Sequence, residues 1–455
     1  VAGGVFVARK GQVSNGLHYI AQAISNGAVA IVVDDEHYFN MTKLAVPLIW
    51  VPNVLSFLAY SCAKINRFPA EALTIIAVTG TNGKTTVTHF IGQLLQRQKQ
   101  QVMVIGTNGV YINGQRSEAH QVSLTTVQPK QMQALFQEAV RKEIPYVILE
   151  ASSIGLQKHR LDYCDIDAGV FLNVTEDHLE EHGSFENYKL AKQILVTLAK
   201  QVIVNGDDAI CRSIGFTKKG KRKFFGKGQH VDYFYQAIYE GNANTTCLVQ
   251  HKDEKYVVHI PFVGDYQCAN VLAAISTLAQ VGFPLEQLCR DSETLTLPEG
   301  RFERIENKKG IDIIIDYAHT PDAMKQILQA VKKQTKQRVI VVFSCGGNRD
   351  REKRPKMGMI ASIYANRIVL TTDNARNESP QAINAQIQQG FSSTQIFTEV
   401  LDRKQAIFTA LNEAEEGDAV VILGKGHEKT QQIGDVQSDF SDKECVLEFL
   451  KAKQP

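Results

Sequence analysis

The stretch Gly80, Thr81, Asn82, Gly83, Lys84, Thr85 and Thr86 directly follows an apolar run from Leu73 to Val78 and has the makings of a phosphate cradle. Gly80 and Gly83 let backbone N–H groups turn inward around phosphate oxygens. Lys84 adds a point charge, and the Thr85 hydroxyl at a helix N-terminus suits a magnesium ion. The longer P-loop spacing would put a glycine where Val78 stands, so the short form TGTNGKTT is judged by context. It lies after a strand and before a helix whose apolar residues Val87, Phe90, Ile91, Leu94 and Leu95 recur at helical spacing. A plain glycine turn is the competing reading.

Two further groups carry chemical side chains. Glu150 ends the apolar run in VILEASS, His178 and His182 sit in NVTEDHLEEHG, and Lys192 falls in NYKLAKQIL. An acid at the carboxyl end of a parallel strand beside a phosphate loop is placed for a magnesium ligand. Taken singly, Glu150 serves equally as a cap, His178 as a surface residue and Lys192 as one lysine among many. After Pro298 come EGRFE, IIIDYAHTPDAM, CGGNRDREKRP, TTDNARNESP and LGKGHEKTQ, polar turns following apolar strands, where an α/β domain builds its site.

The elements needed to hold these turns are strands alternating with helices, which predicts a parallel, doubly wound α/β sheet. Strands are expected at residues 102–105, 146–149, 168–174, 256–261, 311–315, 338–343, 367–371 and 419–423, with helices at 130–142, 269–279 and 323–331. Residues 20–53 read as helix, strand, strand, with Gly27 as the helix stop. The basic run TKKGKRKFFGKG at 217–228 reads as a solvated loop interrupting the pattern. A chain of 455 residues exceeds one ordinary core. Three domains are expected, at 1–70, 71–298 and 299–455.

Composition narrows the function classes. With 44% apolar and 22% charged residues the chain is globular, and a net charge of +2 supplies no bulk attraction to nucleic acid or anionic membrane. The apolar runs are strand-length, well short of the roughly 20 residues of a membrane helix. Eight cysteines without a CxxC pair or metal-ligand spacing read as reduced thiols of a cytosolic protein. The chain starts at Val1 without methionine, and a missing natural N-terminus is expected.

In this order, TGTNGKTT, ExSS, DHLxxHG, YxxAK, GRFE, DYAHTPDA, CGGxRDxxKRP, DNxR and GKGHE resemble the ATP-dependent Mur ligases from about Val5 to Phe449. The resemblance implies three domains, for the UDP sugar (1–70), for ATP (71–298) and, Rossmann-like, for the incoming amino acid (299–455). It implies addition of meso-diaminopimelate to UDP-N-acetylmuramoyl-L-alanyl-D-glutamate through an acyl phosphate, by a cytoplasmic monomer that binds small molecules and neither nucleic acid nor membrane.

By the same resemblance Gly80 to Thr86, Asn270, Arg301, Asp316 and His319 bind ATP. Thr85, Glu150, His178 and a carbamylated Lys192 hold two magnesium ions, and Lys84, Glu150, His178 and Lys192 are catalytic. Thr125, Thr126, Ser152 and Arg160 contact the UDP-muramoyl dipeptide. Arg349, Asp373, Asn374, Arg376, Gly424 and Glu428 form the amino-acid pocket. Arg376 suits the distal carboxylate that diaminopimelate carries and lysine lacks, and Glu428 the distal ammonium.

Departures from the family pattern are Ala375 for the proline of DNPR, Val127 for the proline of TTP, Ile154 for a histidine, Lys158 for a glutamine, Gln267 for an asparagine, and SCGGNR at 344–349. Ala375 lacks proline's fixed φ, which would preorganise Arg376 less. The departures keep two alternatives open: the same chemistry with lysine, or a diverged paralogue acting on a related carboxylate and amine. A P-loop switch or a silent binder of UDP-muramoyl peptides is a third reading, against which Glu150, His178 and Lys192 all being present argues.

Overall fold

The computed structural model describes residues 2–11, 14–218, 220–241 and 243–452. The chain forms two compact units. One comprises the described residues of Val1–Ala77, Gln100–Gly169 and Ala191–Gln201, the other those of Val78–Lys99, Val170–Leu190 and Val202–Pro455.

In the first unit Val5–Val7, Ala30–Val33 and Leu48–Trp50 make a parallel three-stranded sheet, with Ile31, Val32 and Val33 fully buried. Helix Ile20–Ser25 stops before Gly27, whose φ of 87° no β-carbon favours. Two helices were not expected, Glu36–Met41 within residues 20–53 and Val54–Ile65 just beyond them. Each starts on a side-chain cap, Asp35 accepting from the Tyr38 N–H and Asn53 from those of Leu55 and Ser56. The same unit pairs Tyr146–Glu150 parallel to Val102–Gly106, and helix Pro129–Arg141 buries Met132, Leu135, Phe136 and Ala139. Gly109–Ile112 and Gln115–Arg116 then add antiparallel strands where only parallel pairing was expected.

In the second unit helix Lys84–Arg97 buries all five residues of its predicted apolar face completely. Residues 217–228 are not simply a loop. Arg222–Gly226 is a strand parallel to Gln201–Asn205, because Phe224 and Phe225, amid the charges, are 9% and 1% exposed. Of the described basic side chains, Arg222 lies against the Phe216 ring and Lys223 pairs with Asp232. Tyr233–Glu240 continues the sheet in parallel, whereas Thr245–His251 and Glu254–Ile260 turn antiparallel. The strand expected over 168–174 ends at Phe171. Beyond it the Asn173 side chain bonds Asn82 and the Val174 N–H bonds Asp208, so these residues leave the ladder to hold a loop.

The C-terminal sheet has the order Glu303–Ile305, Asp312–Asp316, Ala419–Leu423, Val339–Phe343, Arg367–Leu370, Phe397–Glu399, parallel except at its first strand. Alternation along its strands feeds two cores. Ile314, Val341, Phe343, Ile368 and Val421 pack with helices Pro321–Gln334, Lys353–Tyr364 and Pro380–Gln388. Ile313, Ile315, Ile340, Val342, Val369 and Ile422 pack with helices Arg403–Glu413 and Asp442–Ala452. Burial on both faces explains why these strands read as unbroken apolar runs.

Candidate active site

The first unit carries a connected polar network at the carboxyl end of strand Tyr146–Glu150. The Glu150 carboxylate, 1% exposed, accepts from the Thr107 N–H at 2.9 Å and the Thr107 hydroxyl at 3.1 Å. A β-carbon at Gly106 would lie 2.1 Å from Glu150 Oε1, so only glycine lets the carboxylate reach this position. The Thr107 hydroxyl also meets that of Thr125 at 3.1 Å. The Thr126 hydroxyl donates to the Glu150 carbonyl at 2.7 Å and accepts from the Ser152 N–H, while Arg160 Nη1 donates to the Thr126 carbonyl at 2.8 Å. Thr125, Thr126, Ser152 and Arg160 are thus brought together with Glu150. Lys192, 1% exposed on helix Phe185–Leu198, belongs to this unit too. Thr85 and His178 belong to the other.

The glycine loop over residues 80–86, in the second unit, is held from several directions. Asn82 accepts with its carbonyl from Asn173 Nδ2, and its side chain donates to Asp322 and accepts from Thr320. The Thr81 hydroxyl donates to the Thr175 carbonyl and lies 2.9 Å from the Tyr188 hydroxyl. Gly83 has φ 87°, and a β-carbon there would be 2.8 Å from Asn270 Oδ1, which places Asn270 against the loop. Lys84 Nζ bends back onto the carbonyls of Gly80 and Thr81 at 2.8 and 2.9 Å. The loop opens into a cleft of about 810 Å³ lined by Asn82, Gly83, Thr175, Asn270 and Asp322 among others.

Arg301 Nη2 donates to the Thr85 hydroxyl at 3.1 Å while its guanidinium lies over the Tyr317 ring. Among the described residues, neither Arg301 Nε nor the Thr175 hydroxyl, both buried, finds a hydrogen-bond partner. The Arg301 guanidinium and the Thr175 hydroxyl, each with a buried polar atom left over beside a glycine loop, are donors of the kind a polyphosphate takes, and the Thr85 hydroxyl is the kind of oxygen a hard cation takes.

Beside the loop, Asp177 is buried near Lys353 Nζ, His319 Nε2 and the His178 ring. Burial alone would raise its pKa. The charges of His178, Lys353, His319 and Lys84 outweigh that and hold Asp177 ionised, well below the usual carboxylate range. His319 is lowered to about 4 by burial and then by Lys353. Its Nδ1 hydrogen-bonds the Tyr317 carbonyl, which makes Nδ1 the protonated nitrogen of the neutral ring. His178 has φ 54°, an uncommon backbone state for a residue with a β-carbon.

The turns after Pro298 converge. The Asp316 carboxylate accepts from the N–H groups of Phe302 and Ala318, both at 2.6 Å, and burial raises its pKa to about 6 against the pull of Arg301. A β-carbon at Gly300 would be 2.1 Å from the His427 nitrogen, so GRFE and GKGHE are in backbone contact.

Arg376 Nη1 donates to the Gly347 carbonyl at 2.8 Å, and burial first, then Arg349, lowers its pKa. Arg349 also reaches Glu180 at 3.3 Å. Asp373 Oδ2 would be 2.4 Å from a β-carbon at Gly424. Glu428 Oε2 accepts from Asn374 Nδ2 at 2.9 Å and from the buried Lys425 ammonium at 2.7 Å. All six predicted pocket residues therefore come together, with cationic and anionic groups in one place. Sequence reading missed Thr107, Asp177, Lys353 and Lys425. Lys425 and Lys353 were inside recognised motifs, and their burial is what marks them.

The comparisons with known proteins cover this whole arrangement. Residues 78–278 match the Mur ligase middle domain and residues 300–426 the Mur ligase, glutamate ligase domain. The UDP-N-acetylmuramoyl-L-alanyl-D-glutamate--2,6-diaminopimelate ligase of Caldanaerobacter subterraneus subsp. tengcongensis is 36% identical over 450 residues, 98% of this chain and 92% of that protein. The protein of the same name from Halalkalibacterium halodurans is 34% identical over 459 residues, 100% of this chain and 93% of its own. A solved structure of a ligase of that name superposes with a TM-score of 0.68 at 32% identity, covering 100% and 93% of the two chains. The MurF ligase of Thermotoga maritima in complex with ADP shares the fold at a TM-score of 0.66 and 20% identity, over 100% and 95%.

Proposed function

We propose that this chain, which belongs to the Mur ligase family, adds meso-diaminopimelate to UDP-N-acetylmuramoyl-L-alanyl-D-glutamate in the synthesis of peptidoglycan precursors. The enzyme is an ATP-dependent ligase that forms peptide bonds. The observation that carries the choice of amino acid is the mixed-charge pocket. Arg376 and Arg349 stand with Asp373, Asn374 and Glu428 in one loop cluster, so a ligand with both a carboxylate and an ammonium at its far end is matched at each. A lysine side chain offers nothing to Arg376.

In the proposed mechanism the Gly80 to Thr86 amides and Lys84 hold the ATP phosphates, and Arg301 faces the same anionic group. The γ-phosphoryl passes to the terminal carboxylate of the UDP-linked dipeptide, the diamino acid's amine attacks that acyl phosphate, and phosphate leaves as the amide forms. Thr85, Glu150, His178 and carbamylated Lys192 would hold two magnesium ions, which supply charge stabilisation for phosphoryl transfer. Thr107 orients Glu150, and Thr125, Thr126, Ser152 and Arg160 hold the UDP-muramoyl substrate. Asn270, Asp316 and His319 complete the nucleotide site.

Work is divided among a UDP-sugar domain at 1–70, an ATP domain at 71–298 and an amino-acid domain at 299–455. The protein acts as a monomer on soluble precursors in the cytoplasm. Among the described residues no helix is long and apolar enough to cross a membrane.

The test is phosphate release by purified protein with ATP, magnesium and UDP-muramoyl-L-alanyl-D-glutamate, varying the amine. Release with diaminopimelate and little with lysine is the expected result. Release with lysine alone would replace the amino acid, and silence with diaminopimelate, lysine and ornithine would overturn the ligase reading on this acceptor.

A further inference from the structure

The chain after GKGHE forms a small hairpin, Thr430–Ile433 and Val436–Asp439, turning at Gly434, whose φ is 60°. Its outer strand is exposed throughout, and Ile433 and Val436 are 47% and 70% exposed. A two-stranded hairpin with so little core of its own is marginal, so something else must hold it. Gln431 and Gln432 of its inner strand and Gly434 at its turn are bonded to the segment that carries Arg376.

Gln431, 8% exposed, donates through Nε2 to the carbonyls of Thr372 at 3.0 Å and Asp373 at 3.3 Å. The Gln432 N–H donates to Asn374 Oδ1 at 2.9 Å. The Arg376 N–H donates to the Gln432 carbonyl at 3.2 Å, and the Gly434 N–H to the Arg376 carbonyl at 2.7 Å. Arg376 itself has φ 49°, a state that a residue with a β-carbon holds only when its surroundings impose it. The bonds on both its amide and its carbonyl do so.

We propose that this hairpin is the positioning device of the amino-acid pocket and that Gln431 is its positioning residue. It sets the distance from the Arg376 guanidinium to the Glu428 carboxylate and so selects the length and charge of the incoming diamino acid. The proposal rests on the ligase reading above. Residues 372–376 are clamped from outside by the hairpin, where a proline at position 375 would restrain them from within. Because Glu428 lies two residues before Thr430, one continuous stretch both carries the anionic group and fixes the cationic one. Gln431 touches no reacting atom.

The experiment is Gln431→Met in the full-length protein, which keeps the side-chain bulk and removes both donors. Gln437→Ala is the control, since its side-chain amide bonds Thr430 across the hairpin and, among the described residues, not the 372–376 segment. For Gln431→Met, KM for diaminopimelate is expected to rise about tenfold, with kcat and KM for ATP and for the UDP-dipeptide within about twofold. The control should match the wild type. Amide hydrogen exchange over 372–376, measured without substrates, should quicken in Gln431→Met alone. An unchanged KM for the amine, or a parallel loss in all three substrates' KM, overturns the proposal. If wild-type protein accepts no diamino acid, the ligase reading falls by itself. In that case unchanged exchange in Gln431→Met overturns the clamp, and faster exchange upholds it.

Discussion

Individual side chains in this protein act through where their neighbours hold them. Arg376 stands beside Arg349, and its backbone is pinned at φ 49°. Replacing it by alanine should cost about tenfold to a hundredfold in kcat/KM for diaminopimelate, the worth of a charge-assisted hydrogen bond, while lysine use stays where it was. Parallel kinetics with the two amines measure this. Glu150 depends likewise on Thr107, which gives it both an N–H and a hydroxyl donor. Thr107→Val keeps the first and loses the second, and should raise the magnesium concentration for half-maximal turnover about tenfold. A magnesium titration at saturating substrates checks it. The DNAR and ExSS motifs were legible as sequence, but Thr107 was not, because nothing in its own neighbours marks it until Glu150 folds against it.

Elements were legible where their own pattern sufficed. The helix after the glycine loop follows from apolar periodicity and strand Ala419–Leu423 from an unbroken apolar run. Helices Glu36–Met41 and Val54–Ile65 rest on Asp35 and Asn53 caps, and strand Arg222–Gly226 on two phenylalanines hidden in a charge run, signals that a hydrophobic scan passes over. Helices Arg403–Glu413 and Asp442–Ala452 are joined by Arg403 and Asp442, both fully buried and bonded through Nε and Nη2 at 2.7 and 2.8 Å. Arg403 Nη2 also donates to the Leu423 carbonyl, immediately before the GKGHE turn. Asp442→Ala leaves that guanidinium buried without its counter-charge and should destabilise the C-terminal region by about 3–5 kcal/mol. Urea unfolding followed by far-UV circular dichroism reads it, and a loss within experimental error would show that water relieves the charge.

For the molecule as a whole, pH acts through pairs such as Arg354 and Glu378. Hydrogen bonds from the fully buried Arg354, chiefly, hold the Glu378 carboxyl down at about 2 against an ordinary 4.5. A folded-state pKa below the unfolded one means stability that is complete above 4.5 and is lost as pH falls toward 2. The urea midpoints of wild type and Glu378→Gln should therefore differ at pH 7 and converge as pH drops below about 4.5, and a constant gap would exclude the carboxylate as the cause. What the sequence determined by itself was pattern that is contiguous along the chain: a strand, a glycine loop and a helix over residues 74–97, and the DNAR turn after strand Arg367–Leu370. Such units are specified by neighbours a few residues apart, so local pattern suffices. Only the tertiary structure decided which distant turns meet, as Gly300 meets His427, Asp177 meets Lys353, and Gln431 meets the carbonyls of Thr372 and Asp373. Those contacts form because buried polar groups must find partners once the strands have brought their ends together, and no spacing in the chain encodes that requirement.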